Sequence, residues 1–253
     1  AEGLILAKHG IFTWGESAQE AYERMIDLVS LAEARLQRGR RPAFVSARLA
    51  PLPAAVEPAC VEDVAPILRG LAAIADDPHG GVYRRFVLDF RAAPDILTFV
   101  NGAELARYSQ AGVVTPDHVI RTKARPLIVP APAANDLAGF AAAASAAFGA
   151  YAADYQDYFV RHNVRAIPSK TMLDPVPRVI LVPGLGLFAL GKSAKEARIA
   201  GDIAVNALAT ITDAEAIGRF DSISEADIFD VEYWSLEQAK LGKEAEKPLA
   251  RQI

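Results

Sequence analysis

Cysteine is almost missing from these 253 residues. Cys60 stands alone, which excludes an intramolecular disulfide and a cysteine-rich zinc knot. No excess of one charge is present either. Lys and Arg total 27 against 31 Asp and Glu, for a net charge of −4. With no basic stripe, nucleic acid is not an expected partner. The longest apolar stretch, the Ala-rich run around 137–153, is broken by Gly149 and followed by Asp154, so no membrane span is expected. The N-terminus has neither the basic region nor the small-residue cleavage site of a signal peptide. Histidine is scarce: His9, His79, His118 and His162 are isolated, and no H-x-H, H-x-x-x-H or H-E-x-x-H occurs. A zinc site takes three or four ligands, and local spacing shows no such set. Hydrophobic residues at 52% and charged residues at 23% are ordinary for a globular protein of one or two domains. The expectation is a soluble, cytoplasmic chain.

What the chain does have is a repeat. Residues 4–24, LILAKHGIFTWGESAQEAYER, align without a gap on residues 180–200, ILVPGLGLFALGKSAKEARIA, at an offset of 176. Seven of the 21 positions are identical: Gly10/Gly186, Phe12/Phe188, Gly15/Gly191, Ser17/Ser193, Ala18/Ala194, Glu20/Glu196 and Ala21/Ala197. A repeat fixes architecture before any single residue does. The copies differ at one telling place, where His9 faces Leu185. A fold that accepts leucine there does not need an imidazole for packing, so His9 is the better candidate for a specific role.

Each copy reads as two short strands around a turn, then a helix. Ser17-Ala-Gln-Glu20 and Ser193-Ala-Lys-Glu196 are capping boxes, in which Ser accepts a free backbone N–H and Glu reaches back to the cap. Helical spacing predicts helices over about 17–38 and 193–211. Between the copies, helices are expected at 61–75, 102–110 and 135–161, and strands at 85–90, 96–100 and 126–130. One further helix is expected over 224–241, carrying Tyr233 and Trp234 as docking aromatics. Four prolines in 42–58 read as a linker. Alternating strands and helices with a hairpin predict an α/β fold, with a mixed or largely antiparallel sheet flanked by helices.

Two further segments carry chemistry. Thr115–Arg125 gathers Asp117, His118, Arg121, Lys123 and Arg125 within nine residues. His118, Arg121, Lys123 and Arg125 could bind a phosphate or other anion, or they could be an exposed loop with ordinary ion pairs. Gly184-Leu-Gly186-Leu-Phe-Ala189 imitates a dinucleotide fingerprint. However, that site needs a helix starting within the glycines, and here the apolar run continues as a strand, so a tight turn is the reading.

The segment LILAKHGIFTWGESAQEAYERMIDLVSLAE resembles the C-terminal part of the class II aldolase/adducin fold. PDHVIRTKARPL, PRVILVPGLGLFALGKSAKEARIAGDIAVNAL and FDVEYWSLEQAKL resemble the middle region of proteins that fuse a class II aldolase to a short-chain dehydrogenase. The resemblance implies four parts. Residues 1–41 end a first aldolase domain and 42–59 are a linker. Residues 60–220 form a degenerate second aldolase-like copy, and 221–253 lead toward a dehydrogenase. It implies that His9 is the third ligand of a catalytic zinc whose other ligands precede Ala1, and that a NAD(P)-binding strand follows Ile253. It further implies that the later copy has lost both metal positions, at Leu185 and around Val100–Gly102, where Ala93-Pro94-Asp95 should lead into a strand. The implied parent cleaves a ketose 1-phosphate, with a sugar phosphate as partner and a homo-oligomeric assembly. The stretch by itself is expected to be inactive. The alternative is a non-catalytic structural or oligomerisation module with a phosphate-binding loop.

Overall fold

The computed structural model describes residues 2–38, 41–44, 57–75 and 81–242. Strands β1 (Gly3–Leu6) and β2 (Gly10–Thr13) form a hairpin, and helix α1 (Ala18–Gln37) follows. Most of the expected 42–59 linker lies outside the described residues. At its borders the Arg41 N–H donates to the Ala216 carbonyl at 3.1 Å, and Pro58 bridges Ala133.

Then come α2 (Val61–Leu71), β3 (Ile74–Ala75), β4 (Tyr83–Arg84), β5 (Val87–Arg91), α3 (Pro94–Val100) and α4 (Leu105–Tyr108). A 3-10 turn at Pro116–His118 runs into α5 (Val119–Thr122), followed by β6 (Leu127–Ile128) and α6 (Leu137–Asn163). Strands β7 (Val179–Val182) and β8 (Gly186–Gly191) precede α7 (Ala194–Ile217), α8 (Glu225–Glu232) and α9 (Ser235–Gly242).

Four strands make the central sheet in the order β5-β8-β7-β6. The pairings are antiparallel except for the parallel β6–β7 edge, so the sheet is mixed and mostly antiparallel. β7 and β8 are apolar throughout and buried at every position, as strands covered on both faces must be. Side chains alternate across a strand, and the alternation divides the core in two. Ile180, Val182, Phe188 and Leu190 pack with Val64 and Leu68 of α2 and Phe140 and Ala144 of α6. Val179, Leu181, Leu187 and Ala189 pack with Ile96 and Phe99 of α3 and Ala200, Ala204 and Leu208 of α7. The result is a helix–sheet–helix sandwich.

The repeat is geometric as well as sequential. β1–β2 pairs Gly3 with Thr13 and Leu6 with Gly10; β7–β8 pairs Val179 with Ala189 and Val182 with Gly186, the same register shifted by 176. Ser17 and Ser193 cap their helices by accepting from the N–H of Glu20 and Glu196 at 3.1 and 3.2 Å. Each Glu in turn accepts from the residue before its cap, Glu16 N–H at 2.7 Å and Lys192 N–H at 2.8 Å. Both turns hold a left-handed residue at the same place, Lys8 with φ 57° and Gly184 with φ 81°. The copies part in burial. Both strands of the later hairpin are buried at every position, whereas Leu4, Ile5, Leu6 and Phe12 of the earlier one are exposed, Ile5 by 75%, and α1 has no buried residue.

Three expectations need correcting. Residues 96–100 are helix α3, not a strand. Pro94 takes the first helical turn, Asp95 adds the acidic residue favoured there, and Ile96, Phe99 and Val100 are buried at i, i+3 and i+4, which is helical spacing. The helix expected over 224–241 is two, α8 and α9, separated at Tyr233–Trp234; Tyr233 is buried and Trp234 half exposed. The helix expected over 61–75 stops at Leu71, and Ile74–Ala75 pairs with Tyr83–Arg84.

Candidate functional site

His9 sits in the β1–β2 turn. Its N–H donates to the Leu6 carbonyl at 3.1 Å, and its exposed ring stacks on Phe12 with centroids 6.3 Å apart. The matching N–H of Leu185 donates to Val182 at 3.0 Å, so the backbone needs no imidazole. Lys8 pins the earlier turn to a distant segment, its ammonium lying 2.6 Å from Asp221 and 2.5 Å from the Ser222 carbonyl. In the later copy Asn101 does the pinning, accepting from the Gly184 N–H at 2.7 Å. The loop at 100–102 therefore does abut the turn at 184–185, although it leaves a helix and not a strand. Among the described residues, no three His, Cys, Asp or Glu side chains lie close enough to share a metal ion. His9 supplies one accessible nitrogen donor.

The structure separates the residues of the 117–125 cluster. Lys123 turns inward and is 5% exposed. Its ammonium donates to the Tyr155 hydroxyl at 2.8 Å and pairs with Glu232 at 3.3 Å. Arg125 points to the surface and pairs with Glu225 at 3.1 Å. His118 lines an apolar cavity with Lys123, and Arg121 is half-buried on α5. Lys123 and His118 thus share one place, Arg125 belongs to another, and the Lys123 charge is already matched by a carboxylate.

The Lys123 network joins three distant segments. Glu232 is fully buried. One of its oxygens accepts from Lys123 and from the Tyr155 hydroxyl at 2.8 Å; the other accepts from the Tyr158 hydroxyl at 3.0 Å. Tyr155 and Tyr233 share a hydrogen bond of 2.7 Å, and the Lys123 nitrogen lies 4.0 Å from the Tyr155 ring centre. Burial pushes the Lys123 pKa down, against the pull of Glu232. Burial and the Glu232 charge push the Tyr155 and Tyr158 hydroxyls far above the usual phenol range, and burial raises Tyr233 to about 12. The backbone at Lys123 is strained: φ 63° and ψ 172° is a region that glycine alone occupies readily, at a cost of order 1–3 kcal/mol.

Two cavities flank this network. One, about 60 Å³, is lined by Lys123, His118, Thr122 and Ser109 among apolar residues such as Phe99 and Leu208. The other, about 260 Å³, is polar and bordered by Tyr155, Tyr158, Asp154, Arg161, Arg125 and Glu225. Arg161 and His162 reach Glu225 at 2.7 and 2.9 Å. Burial pushes Glu225 up, but the hydrogen bonds of Arg161 and His162 outweigh it and hold the carboxyl below its usual range.

Sequence reasoning missed Glu232, Tyr155 and Tyr158. The signal was present in the i, i+4, i+7 spacing of Tyr151, Tyr155 and Tyr158 on an otherwise Ala-rich helix, where aromatics mark a packed face. Glu232 stands in FDVEYWSLEQAK beside the docking aromatics Tyr233 and Trp234.

Residues 59–241 match the model of "Aldolase class II, second domain", and residues 1–36 match that of "Class II Aldolase and Adducin N-terminal domain". The "Uncharacterized oxidoreductase YuxG" of Bacillus subtilis is 30% identical over 244 residues, covering 95% of this chain and 34% of the relative. The chain therefore spans about a third of that relative's length. No solved structure matches the chain. The match over 59–241 takes in both cores, the Lys123 network and α8, and on that extent the chain belongs to the class II aldolase family.

Proposed function

We propose that this chain is part of a sugar-phosphate aldolase joined to a short-chain dehydrogenase, of the kind described as bifunctional rhamnulose-1-phosphate aldolase/alcohol dehydrogenase. The single observation that carries this reading is the duplicated hairpin and capped helix. One register and one cap geometry recur at an offset of 176, yet only the earlier turn holds an imidazole, at His9. The later copy, with Leu185 in its turn and Asn101 hydrogen-bonded to Gly184, is then a degenerate form that serves as scaffold. The oxidoreductase name of the relative supports the dehydrogenase part.

A single exposed His nitrogen fits one position of a zinc site, and zinc takes three or four ligands. His9 would hold the metal together with ligands outside the described residues. Bound there, zinc would supply Lewis-acid polarisation of a substrate carbonyl. The chain's own contribution is orientation. The Leu6 carbonyl and the Lys8–Asp221 pair fix the turn that presents the ring.

The test is zinc content together with release of dihydroxyacetone phosphate from rhamnulose 1-phosphate, measured on the intact protein and its His9→Ala form. The expected result is loss of both in the variant. Full activity and metal content in His9→Ala would overturn the reading.

A further inference from the structure

The larger, polar cavity is built from elements that do not carry His9. Its walls come from α6, the start of α8 and the loops at 110–112 and 124–125. We propose that it is a binding site for one uncharged polyhydroxylated molecule, a free sugar or sugar alcohol of five or six carbons. The inference goes beyond the zinc-aldolase reading and does not depend on it.

Size sets the first limit. About 260 Å³ is room for roughly nine waters at about 30 Å³ each, which suits a single small molecule and not a polymer. Charge sets the second. Arg125 and Arg161 share the wall with Asp154, Asp157 and Glu225, two cations among three anions. An anion such as phosphate meets a carboxylate majority there, and a compact cation meets two guanidiniums. A neutral ligand meets neither penalty.

Hydrogen-bonding capacity decides the class. Arg125 and Arg161 each reach Glu225 through a single nitrogen, at 3.1 and 2.7 Å. A guanidinium has five N–H donors, so donors remain on both. The Gln110 amide nitrogen donates to the Pro126 carbonyl at 3.0 Å and to Ser109 Oγ at 3.3 Å, which fixes the amide and leaves its oxygen as an acceptor. Asp154 and Asp157 are exposed on α6 and act on Arg161 through charge, without a hydrogen bond to it. The wall thus presents guanidinium donors together with carboxylate and amide acceptors. A hydroxyl both donates and accepts, and hydrogen bonds to charged groups are the stronger ones. A run of hydroxyls satisfies both kinds of group, and an alkyl chain satisfies neither.

The aromatic side of the cavity fits the same ligand. Tyr151, Tyr155 and Tyr158 lie at i, i+4 and i+7 on α6 and all line it. Their hydroxyls are engaged elsewhere: Tyr151 donates to the Arg125 carbonyl at 3.1 Å, and Tyr155 and Tyr158 donate to Glu232 at 2.8 and 3.0 Å. What the rings have left to offer is apolar surface, and Ile223 and Ile228 add to it. Sugars and sugar alcohols carry C–H groups between their hydroxyls, and a wall of apolar surface with a few placed polar groups is what holds such a molecule.

The experiment is saturation-transfer NMR on the intact protein with xylose, xylitol and pentane-1,5-diol, which has the length of xylitol without its inner hydroxyls. Saturation is expected to reach xylose or xylitol, a result that assigns the ring or the open-chain form, and not the pentanediol. The paired Asp154→Ala and Asp157→Ala substitution removes two acceptors from exposed helical positions that alanine suits. It is expected to weaken binding at least about tenfold, the worth of one hydrogen bond to a charged group, with the urea midpoint kept. Inorganic phosphate at equal concentration is expected not to displace the polyol. Saturation of neither xylose nor xylitol, equal binding of the pentanediol, displacement by phosphate, or unchanged affinity in the paired variant would overturn the inference. No arm uses zinc or a sugar phosphate, so this outcome and that of the His9→Ala test are separately visible.

Discussion

At the scale of single residues, the molecule takes a pair of opposite charges into its interior. Lys123 and Glu232 form an ion pair inside a cage of Tyr155, Tyr158 and Tyr233. Taking two charges out of water is expensive, and such a pair is tolerable only when every remaining lone pair and proton is met. Here Glu232 accepts from three donors and is left with no hydrogen-bonding gap. Glu232→Gln is nearly isosteric but replaces one acceptor oxygen by an amide that donates, toward either Tyr158 or the Lys123–Tyr155 side. The expected loss is about 3 kcal/mol, read as a lower urea midpoint with unchanged slope. A change below about 0.5 kcal/mol, the range of unremarkable surface substitutions, would mean that the network is looser than its distances imply. His9 shows the opposite economy of contact: exposed, with its ring on Phe12 and its backbone hydrogen bond reproduced by a leucine in the later copy.

At the scale of elements, the capped helices were legible in the sequence and α3 was not. Ser17 and Ser193 announce their helices because the cap and its reciprocal Glu are local events, decided within four residues. Residues 96–100, by contrast, form a short β-branched and aromatic run that suits a strand by composition. Only the tertiary placement, with Ile96, Phe99 and Val100 turned onto the sheet, makes it a helix, and propensity yields to burial in so short a piece. The break between α8 and α9 was equally hidden, since no Pro or Gly marks it. The two hairpins offer a matched test of what surrounds an element. Gly10 and Gly186 have φ values of 142° and 143°, a region side chains rarely enter. A Cβ on Gly10 meets nothing within 4 Å, whereas one on Gly186 would strike the Arg91 carbonyl oxygen on β5. Gly10→Ala is expected to cost about 1–3 kcal/mol from backbone strain alone. Gly186→Ala adds displacement of the neighbouring strand and is expected to exceed about 4 kcal/mol. Thermal unfolding of the two variants decides it, and equal losses would show that the later hairpin is not held against β5.

At the scale of the whole molecule, the layer order followed from the pattern of strands and helices, and the duplication from the offset of 176. What could not be read was which distant segments close over one another, because a hydrogen bond between residues 109 apart, such as Lys123 to Glu232, leaves no local trace. The same holds for the ion pairs that tie the later elements together. Arg107 on α4 reaches Glu215 near the end of α7 at 2.7 Å, and Glu215 also accepts from the Phe220 N–H at 2.9 Å. The Arg107 hydrogen bond outweighs burial and holds the Glu215 carboxyl below its usual range; at Asp174 burial pushes upward, but Arg178 prevails and lowers it too. A carboxyl whose folded pKa lies below its unfolded value binds fewer protons in the native state. Its stabilisation is therefore complete above the ordinary carboxylate range, and it is lost as pH falls through that range toward the lowered value. Glu215 is the sharper probe, with its side chain only 5% exposed. Glu215→Gln is expected to lower stability at neutral pH by about 2 kcal/mol, the worth of hydrogen bonds to a charged group. It should also remove part of the acid dependence, so that the two urea-derived stability curves converge as pH drops below the carboxylate range. Parallel curves would locate the acid sensitivity in other carboxylates and would mean that the Arg107–Glu215 tie contributes to shape without contributing to the pH response.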